Sequence, residues 1–140
     1  MFGFVQVGDV SLTGTLATVA QLNVRVEEDS MMTTLALKGA VLGVTGGIVT
    51  AKFVVDGGTP IPTLPIGCGN VGAGPATLAV DPSVTVELSK GQHVVAVQLA
   101  CSGADGTLKG ATYDCKLKVT RLSADATMGQ GVNSKVQLSM

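Results

Sequence analysis

At 140 residues, 46% apolar and 14% charged, the chain fits one domain able to bury about two-thirds of its unfolded surface. Its net charge of −1, with no basic run, argues against a phosphate-tracking nucleic-acid binder, and no stretch approaches the ~18 apolar residues of a membrane helix. Charged residues fall well below the usual share of roughly a quarter, which leaves two readings open: burial against other chains, or a surface of Thr, Ser and Gly.

The first residues, Met1 to Asp9, lack the basic and apolar regions of a signal peptide, so synthesis in a cytoplasm is expected. Residues 1–15 read as an N-terminal arm or edge strand. From Leu16 to Glu27 the pattern alternates, with Leu22, Val24 and Val26 on one face and Gln21, Asn23, Arg25 and Glu27 on the other. Glu28-Asp29-Ser30 is a polar turn. Met31 to Lys38 alternates again, placing Thr33, Leu35 and Leu37 opposite Thr34, Ala36 and Lys38. Gly39 to Gly47 reads as a Gly-rich connection. Ile48 to Asp56 is a strand with Val49, Ala51, Phe53 and Val55 inward, ended by Asp56-Gly57-Gly58.

The segment Thr59–Pro75 holds four of the five prolines and is expected to be a long surface loop, since proline cannot donate to a ladder. Its prolines Pro60, Pro62 and Pro65 are candidates for contact with a neighbouring subunit. Ala76 to Val80 is a short strand. In the next one Val84, Val86 and Leu88 point in, and Ser89-Lys90-Gly91-Gln92 is a tight turn. Val95, Val97, Leu99 and Cys101 alternate with Ala96, Gln98 and Ala100. Asp105-Gly106 marks a hairpin tip. Cys115, Leu117 and Val119 return inward, with Asp114, Lys116, Lys118 and Thr120 outward. About eight short strands and no amphipathic helix predict an all-β, antiparallel jelly-roll-like β-sandwich over residues 16–124, with extended termini. Residues 125–140 read as a C-terminal arm or edge strand. Phe2, Phe4, Val136 and Leu138 would be costly to leave in water, so the termini pack either on a neighbouring chain or on their own sandwich.

Chemistry is scarce. Gly67-Cys68-Gly69-Asn70-Val71-Gly72 spells a dinucleotide fingerprint, but prolines flank it and no helix opens to bind pyrophosphate. His93 is the only histidine, too few for a metal site or a triad, and its place at a turn points to hydrogen bonding there. If Leu99 pairs with Leu117 and Val97 with Val119, Cys101 falls opposite Cys115, as a disulfide or as two buried thiols. Cys68 is exposed or sealed at a contact. Glu27-Glu28-Asp29 reads as a solvated turn rather than a cation site. Three Phe, one Tyr and no Trp form no platform for stacking sugars or bases. No catalytic, metal or cofactor-binding residue emerges, and no cofactor or small-molecule substrate is expected.

The run Val84-x-Val86-x-Leu88-Ser89-Lys90-Gly91-Gln92-His93-Val94-Val95-Ala96-Val97-Gln98, with Leu117-Lys118-Val119-Thr120-Arg121-Leu122 and Val54-Val55-Asp56-Gly57, resembles small jelly-roll virion proteins of tailed bacteriophages. That group is similar to C1q-like and TNF-like jelly rolls. The resemblance implies a non-enzymatic, trimeric decoration (cement) protein on the capsid surface, with the major capsid protein as partner. The alternative is a tail or head-fibre module that binds a host surface. This chain departs from the pattern in its few aromatics and its Pro/Gly segment, and no functional residue carries over.

Overall fold

The structure is a computed structural model, and it describes residues 3–29, 31–43, 46–71 and 76–122. Among these residues eleven strands form: β1 Gly3–Gln6, β2 Asp9–Leu12, β3 Ala17–Val26, β4 Met31–Gly43, β5 Ile48–Val55, β6 Ile61–Asn70, β7 Ala76–Val80, β8 Ser83–Leu88, β9 Gly91–Ser102, β10 Gly106–Lys109 and β11 Lys116–Arg121. They make two antiparallel sheets packed face to face. One runs β3-β9-β5-β6. The other runs β1-β11-β4-β10-β2, with β7 and β8 also on β4. The class is all-β, a jelly-roll-like sandwich, with more strands than the eight expected.

The long strand β4 organises the larger sheet. Its first half lies between β8 and β11, and its second half between β7 and β10. The expected Gly39–Gly47 connection is therefore wrong at its start, because β4 continues to Gly43. Gly39 and Gly43 serve packing rather than turning. A Cβ on Gly39 would sit 2.6 Å from Cys115 Sγ, and one on Gly43 would sit 2.7 Å from Val71 Cγ2. Cys115, beside Gly39 across the β4–β11 pair of the same sheet, and Val71, just past β6 of the other sheet, leave no room for either.

Alternation selects the core. Leu35, Leu37, Val41, Leu108, Leu117 and Val119 from one sheet meet Val49, Phe53, Val95, Val97 and Leu99 from the other, all essentially without exposure. Burying each such side chain stabilises by about 1.5–3 kcal/mol before entropy is counted. Phe53 is the only fully buried aromatic among the described residues. The buried hydroxyl of Thr33 donates to the Met31 carbonyl at 3.1 Å, so it is not orphaned.

Two further expectations change. The Thr59–Pro75 segment is not a loop throughout: Ile61–Asn70 is the edge strand β6, paired among the described residues with β5 alone. Proline is tolerated there because an edge strand needs donors on one side only, and bulges absorb the rest. The register slips between Val49 and Thr50 and again between Ala51 and Phe53. Nor does Asp105-Gly106 tip a hairpin. Gly106 opens β10, which pairs with β2 and β4 in the other sheet, so the chain crosses between layers after β9.

The N-terminal segment lies within the sandwich. β1 pairs with β11, and β2 pairs with β10. The Val7 amide donates to the Cys115 carbonyl at 2.9 Å and ties the link between them down. Phe2 and the C-terminal segment with Val136 and Leu138 lie outside the described residues.

Candidate functional site

The cross-strand pairing of Cys101 with Cys115 does not occur. β9 is flanked by β3 and β5, while β11 is flanked by β1 and β4, so the two cysteines belong to facing sheets. The expected register joined strands that look alike but are separated by the crossover through β10. Both side chains are free thiols, buried in the same core. Cys101 Sγ lies under Gly106, 2.9 Å from where a Cβ would stand, as Cys115 Sγ lies under Gly39. Burial, with the Asp105 charge nearby, pushes the Cys101 thiol up. Cys68 on β6 is half-buried, and burial pushes its pKa up to about 11. Such thiols stay protonated near neutrality and are poor nucleophiles.

His93 lies near the start of β9, opposite Val24 of β3, in a nearly closed hydrogen-bond set. Its Nδ1 lies 2.7 Å from Asp56 Oδ2, and its Nε2 lies 2.7 Å from the Ser89 carbonyl. A carbonyl only accepts, so Nε2 carries a proton there; the carboxylate favours a second proton on Nδ1. Asp56 raises the His93 pKa, and the Ser89 carbonyl adds to the effect. Asp56 in turn is lowered, first by the Val94 amide, which donates to Oδ1 at 2.7 Å, and then by His93. Asp56 itself turns left-handed at φ 54°, a conformation Asp tolerates better than most residues. The group clasps the end of β5 to the start of β9. Both ring nitrogens are spent on structure.

Three concave surfaces stand out among the described residues. A cleft of about 490 Å³ lies on the outer face of the smaller sheet, with Thr18, Gln21 and Gln98 around a floor of Val54, Val94 and Ala96. A groove of about 460 Å³ lies on the outer face of the larger sheet, lined by Lys38, Lys116, Lys118, Tyr113 and Asp114. A smaller hollow of about 230 Å³ at one end holds Arg25, Glu27, Glu28, Met31 and Arg121. There Arg25 pairs with Glu27 at 2.6 Å, and Arg121 lies 3.8 Å from Glu28. Among the described residues no group of three or more His, Cys, Asp or Glu gathers to hold a metal ion. No helix in them is long and apolar enough to cross a membrane.

Of the predicted contact residues, Phe4 stands on edge strand β1, 50% exposed, with Lys116 Nζ 5.3 Å from its ring centroid. Pro60 and Pro62 are half-buried and Pro65 is exposed. Ile61 and Ile66 pair with Phe53 and Ala51, so residues 62–65 bulge out of the β6 edge opposite Lys52. Lys52 Nζ donates to the Thr63 carbonyl at 2.8 Å and props the bulge. At its tip Leu64 is 80% exposed, the most exposed large apolar side chain among the described residues. Sequence reasoning named the prolines around Leu64 but missed Leu64 itself. It also placed Lys38, Lys116 and Lys118 outward without seeing that they gather; only the β4–β11 register brings Lys38 opposite Lys116.

No protein-family model matches the chain. No curated protein matches it either. Among solved structures it is similar to a family 4 carbohydrate-binding module, at 18% identity over 81% of this chain and 82% of that one, TM-score 0.42. It is similar to a family 35 carbohydrate binding module from Clostridium thermocellum, at 13% identity over 82% and 97%, TM-score 0.41. It is also similar to a chain of infectious bursal disease virus, Gx strain, at 13% identity over 88% of this chain and 36% of that one, TM-score 0.36.

Proposed function

We propose that the chain is a non-enzymatic structural virion protein: a homotrimeric phage capsid decoration (cement) protein that bridges neighbouring capsomers on the outer face of the head. One observation carries this reading. The two lateral edges of the sandwich each project an apolar side chain into water. β1, with Phe4, closes one side over β3; β6, with Leu64, closes the other over β7. A bridge needs contact surfaces on opposite flanks, and exposed large apolar groups on otherwise closed edges mark contacts. The low charge of the chain, 14%, suits burial in a permanent interface. Each contact is small, and a trimer bound at several points gains its hold from valency. The major capsid protein is the partner in this reading, and the virion surface its location.

The second reading, a tail or head-fibre module that binds a host surface, draws on the cleft with Gln21, Thr18 and Gln98, whose amides and hydroxyl suit a polar ligand. Co-sedimentation separates the two. Purified protein is mixed with particles lacking it and, in parallel, with host cells. The decoration reading expects saturable binding to particles and none to cells; binding to cells alone reverses the order.

A further inference from the structure

The groove on the larger sheet holds an arrangement that does not serve stability. Lys38 on β4 stands directly opposite Lys116 on β11, and Lys118 follows two residues along on the same face. Like charges directly opposite across a ladder repel and weaken it. Asp114 does not balance the set. Its Oδ1 accepts from Gln6 Nε2 at 2.9 Å and its Oδ2 lies 3.2 Å from Lys116 Nζ. Those two contacts, Gln6 first, hold the carboxyl below its ordinary range, so it stays committed to one lysine. Among the described residues Lys38 and Lys118 have no carboxylate within 4.0 Å. Three of the chain's nine cationic side chains thus meet in one groove, against one carboxylate, in a protein of net charge −1.

We propose that this groove docks an extended acidic segment of a partner protein, with carboxylates at alternate positions. The spacing supports this. Lys38 and Lys118 are diagonal neighbours across an antiparallel pair, roughly 7 Å apart at Cβ. Carboxylates two residues apart on an extended chain share one face and repeat at about 6.6–6.8 Å. One carboxylate meets each free ammonium, and the Tyr113 ring, 45% exposed, flanks them. A continuous polyanion fits less well. Nucleic-acid and sulfate-rich chains carry charge too densely to pass Asp114, and they favour the planar fork of arginine, which the groove lacks. The overall charge of −1 also gives no long-range attraction to a polyanion, whereas a short acidic strand needs only local complementarity. This inference goes beyond the capsid reading and holds for any acidic partner.

The test uses the intact protein and four probes: the peptides Thr-Glu-Thr-Glu-Thr and Glu-Glu-Thr-Thr-Thr, heparin and duplex DNA. Binding is followed by NMR shifts of the lysine side chains. The alternating peptide is expected to shift Lys38, Lys116 and Lys118, to bind at least threefold tighter than the blocked peptide, and to weaken as salt rises. Lys38→Gln with Lys118→Gln is expected to lose at least tenfold in affinity without lowering Tm, while Lys90→Gln changes nothing. Equal binding of the two peptides, tighter binding of heparin or DNA at the groove, or a lowered Tm with peptide binding retained overturns the proposal. Failure of particle binding with peptide binding retained would count against the capsid reading alone.

Discussion

His93 is the single-residue feature with the clearest energetic consequence. Its pKa is raised in the folded state, so its contribution is fully present below its ordinary value near 6.5 and is lost as pH rises through the folded value. Asp56 is lowered, so its contribution is present above its ordinary value near 3.8 and is lost as pH falls through the folded value. The clasp therefore supports the fold most between those two ordinary values. Wild-type Tm is expected to fall as pH is raised from 6 to 9, and His93→Gln is expected to flatten that slope. At pH 6 the substitution should cost about 1.5–3 kcal/mol, the scale of hydrogen bonds to a charged group. A parallel pair of pH profiles by thermal melting checks it; identical slopes would show that His93 does not hold the charge. The glycine–thiol contacts give a second residue-scale outcome. Gly39→Ala drives a methyl into Cys115 Sγ and should cost about 1–3 kcal/mol in urea melts. Adding Cys115→Ala should return part of that loss, because the two positions share one space. All three cysteines should alkylate after unfolding without reductant; a mass short by two groups would mean a disulfide.

At the scale of elements, strand faces were legible in the sequence and strand partners were not. The alternation through Leu35 and Leu37, Val95, Val97 and Leu99, and Leu117 and Val119 put each side chain on its true side. That pattern is local, set by the two-residue period of the backbone. Pairing is not local. β9 and β11 carry matching patterns, yet each pairs with strands distant in the chain, so the register that placed Cys101 against Cys115 failed. Glycine and proline misled for related reasons. In Gly39 and Gly43 glycine answers the close approach of another side chain rather than a turn, and the signal lies in Cys115 and Val71, far away in sequence. In β6 proline marks an edge rather than a loop. Gly110 belongs to the same class: an added Cβ would run into the Val7 and Gly8 carbonyls. Gly110→Ala should therefore destabilise more than Gly14→Ala, whose added Cβ meets nothing, as paired melts would report. The β6 bulge makes the opposite prediction. Leu64→Asp at an 80% exposed tip should shift stability by less than about 0.5 kcal/mol, yet weaken particle binding several-fold in co-sedimentation.

As a whole, the molecule is a two-sheet sandwich with its distinctive surfaces at the flanks. Both ring nitrogens of its one histidine are engaged, and its thiols are shielded. Phe4 and Leu64 sit on opposite edges, and the lysine groove lies beside the Phe4 edge, with Lys116 reaching toward the ring. Bridging makes a demand that simple attachment does not: both flanks must be engaged at once. Variants that spoil one flank should still attach but should no longer tie neighbours together. The most direct measurement is the rupture temperature of particles lacking the protein, after saturation with wild type, Phe4→Ser or Leu64→Asp. The bridging account predicts a clear rise with wild type and little or none with either variant, even where co-sedimentation finds the variant bound. Particles that bind wild type fully without any gain in rupture temperature, or that gain equally from both variants, would contradict it.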